Sequence, residues 1–221
     1  MRLPALIAVS LVLLLSACTG EETGAERVAS TAPVVQLGAP GAENRTLDAA
    51  EAEALDLTVE HTAADVDFVR HMLGHHEQAI IMTDLVEERT DDESVHLLAE
   101  RMAVSQEDEM DQMQAWLRDR GEPVFDLESG GGHANHGQGD LMPGMLTDAQ
   151  LAELEAATGD EFSRLFLEYM IMHHEGAITM VEDLWAAEGG QEVQIGDLAR
   201  HVESDQRIEI TRMRGMLEEM G

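Results

Sequence analysis

Two short stretches carry the residues best suited to chemistry: Met72-Leu73-Gly74-His75-His76 and Met170-Ile171-Met172-His173-His174. In each, a thioether stands three and four residues ahead of a pair of imidazoles. On a helix those spacings make side chains neighbours, so one turn gathers Met, His and His. Met82 and Met180 recur two turns further along the same faces. Thioether together with imidazole suits copper, and the cuprous ion above all. Zinc is normally held by His with Cys or carboxylate rather than by Met. A di-iron bundle needs Glu-x-x-His on two helices. Here Glu93-Ser94-Val95-His96 has that spacing once, off the apolar stripe and without a counterpart.

Such ligands need rigid elements behind them, and the surrounding pattern is helical. At about 100° per residue, Phe68, Met72, His75, Ala79, Met82 and Val86 share one stripe, with His76 at its edge. Phe166, Met170, His173, Ala177, Met180 and Leu184 repeat it, with His174 at the edge. A second pair of segments also matches: Met102, Gln106, Glu109 and Met113 against Val202, Gln206, Glu209 and Met213. The chain is therefore a duplicated helical hairpin. One amphipathic hairpin cannot bury its stripe alone, so two should pack as an all-α, four-helix bundle with a pseudo-twofold axis. Gln and Glu in an otherwise apolar stripe demand explanation, because an unpaired buried carboxylate is costly. The histidines of the facing helix are the nearest partners for Glu109 and Glu209. Gln106, Gln206, Met113, Met213 and His71 are auxiliary candidates. His71 is replaced by Tyr169 in the second copy. His61, His96 and His201 lie outside the repeated motif and are assigned nothing.

Thr62 with Asp65, and Thr147 with Gln150, read as capping boxes. Helices are expected from Thr62 to about Glu88, from about Thr90 to Arg120, from Thr147 to about Ala157, from Gly159 to about Glu188, and from Val193 to Met220. A short helix is expected within Thr46–Glu60. The Gly-rich linker between the hairpins carries His133, His136, Met142 and Met145 on flexible backbone, a weaker candidate site for soft metal.

The N-terminus is a targeting segment. Arg2 precedes an apolar run to Leu15, and Leu15-Ser16-Ala17-Cys18 follows. That is the layout of a secretory signal, and its small residues resemble a bacterial lipobox with Cys18 as the lipidated residue. Cys18 is the only cysteine, which leaves no thiol for disulfides, zinc–thiolate sites or nucleophilic catalysis. The predicted organisation is a signal peptide (1–17), a lipidated tether (18–60), hairpin repeat 1 (61–124), a linker with a short helix (125–158) and hairpin repeat 2 (159–221). The two repeats form one domain. A membrane is met only through the lipid anchor, on the outer face of a bacterial membrane.

A formal charge of −32 argues against nucleic acid, whose binding rests on cationic side chains. No phosphate loop, dinucleotide fingerprint or nucleophile triad is present, so no enzyme is expected, although redox activity stays open. Fourteen methionines fit either a plastic core or soft-metal binding, and composition does not choose. The two motif copies, each followed by Ala-Ile, a Met and a later Gln-x-x-Glu-x-x-x-Met, resemble the bacterial domain of unknown function 305. Met142-Pro143-Gly144-Met145 resembles its longer members. The resemblance spans roughly residues 62–220 and implies a ferritin-like bundle outside the cytoplasm. Some members are linked to copper or silver, with ligands mapping to Met72, His75, His76, Met82, Met170, His173, His174 and Met180. The expected function is binding of copper, as Cu(I) with silver as a surrogate, for sequestration or trafficking. The protein partner is left unassigned. The alternative is a metal-free scaffold whose buried His pairs are structural, bonded to Glu109 and Glu209.

Overall fold

The structure is a computed structural model and describes residues 34–37, 41, 43–48, 50–51, 59–124 and 141–221. It falls into two compact units, 1–56 and 57–221. The described part of the first unit holds a hairpin of β1 (Val34–Gln36) and β2 (Arg45–Leu47), antiparallel, with Val35 opposite Thr46. This corrects the expectation of an unstructured tether followed by a helix from Thr46. Val, Thr and Leu favour strands, but three-residue runs are too short to show an alternating period. Among the described residues of that stretch Ala50 and Glu51 are helical, with Asp48 and Glu51 bonding each other's backbone at 2.8 and 3.1 Å. Residues 52–58 of the expected helix lie outside the described residues, as do Cys18, His133 and His136.

The second unit is a four-helix bundle. Its long helices are α1 (Ala63–Asp84), α3 (Glu93–Asp119), α5 (Gly159–Ala186) and α6 (Val193–Met220). Two short helices, α2 (Val86–Arg89) and α4 (Asp148–Ala156), complete it. The first hairpin pairs α1 with α3, the second pairs α5 with α6, and the hairpins meet mainly through α1 on α5. Both capping boxes form: Thr62 with Asp65 and Thr147 with Gln150. Two boundaries differ from expectation. The first helix breaks at Leu85, and Asp92 rather than Thr90 caps α3, accepting from the Ser94 and Val95 amides. Thr90 is instead buried against Ser163, hydroxyl to hydroxyl at 2.8 Å.

Asp65 does more than cap. Its second carboxylate oxygen accepts the Gly190 amide at 2.5 Å, tying the start of α1 to the α5–α6 turn. Charged hydrogen bonds of this kind are the strong ones, and Asp65 is fully buried. No described helix is long and apolar enough to cross a membrane.

Two apolar clusters fill the bundle. One takes Met72 from α1 with Ala177 and Met180 from α5. The other takes Ala79 and Met82 from α1 with Phe166 and Met170 from α5. Helices α1 and α5 therefore run antiparallel. Along α1 the histidine pair falls between the residues of one cluster and those of the other, and along α5 it does so for all but Ile178, which joins the cluster of Phe166 and Met170.

Candidate metal centre

At this midpoint the two helices bring His75 and His173 ring against ring, centroids 3.8 Å apart and planes tilted by 36°. All four motif histidines are at most 1 % exposed. His76 and His174 are edge positions on a helical projection, yet α3 and α6 cover them with carboxylates. His76 Nε2 donates to Glu109 at 2.6 Å, and His174 Nε2 donates to Glu209 at 2.6 Å. His75 Nε2 donates to the Pro143 carbonyl at 3.0 Å.

These acceptors fix the rings. Neither a carboxylate nor a carbonyl can donate here, so in these three rings Nε2 carries a proton. The Nδ1 atoms of all four histidines, and Nε2 of His173, are buried without a hydrogen-bond partner. Both amide atoms of Gln106 and Oε1 of Gln206 share that condition. Apart from Arg89 Nε, every such side-chain atom among the described residues belongs to these histidines and glutamines. A buried polar group left unpaired costs about 1–3 kcal/mol. Repeating that cost at matching places in both halves needs a reason, and a ligand is one. Burial pushes His75 down to about 3, with His76 adding to the effect and the Pro143 bond opposing it. Burial, then His75, holds His173 well below the ordinary histidine value. Both rings are thus neutral, the form that binds metal.

The methionines are distributed differently from the simple motif. Met72 and Met82 are ten residues apart, roughly 15 Å along the axis, and cannot serve one ion. Met72 shares its cluster with Met180 and Met113, and Met82 shares its cluster with Met170, Met213 and Met102. Each cluster pairs the leading Met of one repeat with the trailing Met of the other. Met102 was no candidate by sequence, since Val202 replaces it in the second copy. Among the described residues no three His, Cys, Asp or Glu side chains are grouped to hold an ion. Both flanking clusters carry thioether sulphur, a donor suited to soft ions.

The linker end is not an open loop. Residues 141–147 form a strap laid across α1 and α5. Gln78 of α1 grips it, donating to the Leu146 carbonyl at 3.0 Å and accepting its amide at 2.7 Å. At the matching place in α5 stands Gly176, where a Cβ would lie 2.0 Å from the Pro143 carbonyl oxygen. Gly144, at φ +76°, packs against the same glycine. One repeat thus holds the strap with a side chain, and the other makes room by having none. Met145 is buried and Met142 half-buried, so this pair is not the flexible loop site expected. Pro143, Gln78 and Gly176 were missed as site-building residues. Their only sequence signal is that positions 78 and 176 break the repeat. His71 is exposed and takes no part in the histidine layer.

The chain belongs to the family described as Domain of unknown function (DUF305), which it matches over residues 65–217. A DUF305 protein of Streptomyces coelicolor, named as a candidate secreted protein, is 33 % identical, with 72 % of this chain and 94 % of that one covered and a TM-score of 0.61. A DUF305 fragment from Deinococcus radiodurans is 34 % identical, covering 73 % and 99 %, with a TM-score of 0.60. CopM in its Cu(II)-bound form shares the fold at 24 % identity, 71 % and 97 % coverage and a TM-score of 0.59, and its Cu(I)-bound form gives a TM-score of 0.55. No curated protein matches this chain.

Proposed function

We propose that this protein binds copper, as Cu(I), outside the cytoplasm, to sequester it or pass it on rather than to catalyse a reaction. The observation that carries this reading is the histidine layer. Three of its four rings donate Nε2–H to a fixed acceptor, the arrangement by which metal-binding histidines are commonly oriented, and every Nδ1 is left buried and free. The ligands proposed are His75, His76, His173 and His174 with the thioethers of Met72, Met180, Met82 and Met170. Glu109 and Glu209 are the outer partners. Structures of CopM with copper and with silver bound support the reading through a shared fold. The lipobox-like Cys18 supports attachment to the outer face of a membrane.

The scaffold reading draws on the same His–Glu bonds. It leaves the Nδ1 atoms and both glutamines without a purpose, and for that reason we favour the metal. Competition of the processed protein with a Cu(I) chelator decides between them. Copper should be retained by the native chain and lost when His75, His76, His173 and His174 are replaced together. A tight ligand must also raise the thermal midpoint, since 100-fold excess over Kd adds about 2.7 kcal/mol. Equal retention by both proteins, with no change in midpoint, rejects the proposal.

A further inference from the structure

We infer that a groove beside the strap is a second, solvent-open site for a soft monovalent ion, built from His71 of α1, Met142 of the strap and Met180 of α5. These three line one groove, with Asp67 and Asp183 beside them. His71 is exposed and Met142 half-buried, while Met180 is 7 % exposed. Three chain segments far apart in sequence thus supply one imidazole and two thioethers. That donor set suits Cu(I) or Ag(I) and is a poor match for Mg²⁺, Ca²⁺ or Zn²⁺. The two carboxylates add negative potential that draws cations toward the groove.

The placement of Met142 is built rather than incidental. Its methyl lies 3.6 Å from where a Cβ on Gly74 would stand, and Gly74 is the i+3 neighbour of His71, on the same helix face. The strap is held by the Gln78 bonds to Leu146 and by the close approach of Pro143 to Gly176, so Met142 is delivered to this face. The groove breaks the pseudo-twofold. In the second repeat Tyr169 and Met172 stand where the first has His71 and Gly74, removing the imidazole and filling the space that Met142 uses. Only one such site is therefore expected per chain; Met180 is the one donor it shares with the ligands proposed for the buried centre, and it uses none of the four buried histidines.

Silver(I) is the probe, because it stays monovalent in air. Bound equivalents on the full processed chain would be counted by native mass spectrometry for the native protein, for H71A/M142L and for H75N/H173N. The first variant should lose one equivalent with the metal-free thermal midpoint unchanged, and the second should keep that equivalent. Peroxide oxidation of Met142, followed by peptide mass, should slow several-fold when Ag(I) is present, and His71→Ala should abolish the protection. Unchanged stoichiometry in H71A/M142L overturns the site, as does loss of the same equivalent in H75N/H173N. Met142 oxidation that is indifferent to silver overturns it even if a variant fails to fold. Failure of the deep histidine site would appear separately, as a native protein whose silver is all lost with H71A/M142L.

Discussion

Acidification of the metal-free protein should expose the histidine layer directly. His75 has an ordinary value of 6.5 and lies near 3 in the fold, and His173 is lowered in the same direction. Each folded-state value is below its unfolded one. As pH falls through about 6.5 the unfolded chain takes up protons that the native chain refuses. The stability these rings permit is complete above that pH and is lost below it. Each ring steepens the loss by a factor of ten in the folding equilibrium per pH unit. Between pH 6.5 and 4.5 His75 alone should remove about 2 kcal/mol, a large share of the stability of a marginal domain, and His173 adds to the loss in the same direction. The assay is urea unfolding followed by helical circular dichroism, in chelator, at half-unit steps. The comparison is H75N/H173N, which keeps every carboxylate but cannot titrate at these positions. Native protein should lose stability over this window far more steeply than the variant. Parallel slopes would refute the claim that these rings are buried neutral.

Other perturbations separate the structural devices. Gly176→Ala places a Cβ on the Pro143 carbonyl and should cost about 1–3 kcal/mol, with faster proteolysis within 141–147 as the strap lifts. Gln78→Ala strands the buried Leu146 amide and carbonyl and should lower stability by about 2–3 kcal/mol in denaturant melts. Asp65→Ala should cost more than loss of an ordinary helix cap, about 3 kcal/mol against the usual 1, because the Gly190 amide loses its acceptor too. The same change at Asp148, which is exposed, should stay within half a kcal/mol.

What was legible in the sequence was what is local or repeated. The capping boxes at Thr62 and Thr147 need only four residues, and both form. The pseudo-twofold followed from two copies of one spacing. A buried carboxylate must find a partner, so Glu109 and Glu209 pointed across to the histidines before any coordinates did. What escaped was tertiary. Nothing near Pro143 announces that its carbonyl meets His75, 68 residues away. The strap became visible only once Gly176 was seen opposite Gln78. The division of the methionines between two clusters escaped because a face seen along one helix conceals distance along its axis. Met72 and Met82 share a stripe, and the antiparallel crossing then gives each to a different cluster. The β1–β2 hairpin went unread because three residues are too few for a period.

The most direct measurement is X-ray absorption at the copper edge on protein carrying one equivalent of Cu(I), with H71A/M142L in place so that only the buried layer can bind. Imidazole nitrogen and thioether sulphur together in the nearest shell are the expected result. A shell of oxygen and nitrogen without sulphur, or one unchanged when His75 and His173 are replaced, would contradict the account.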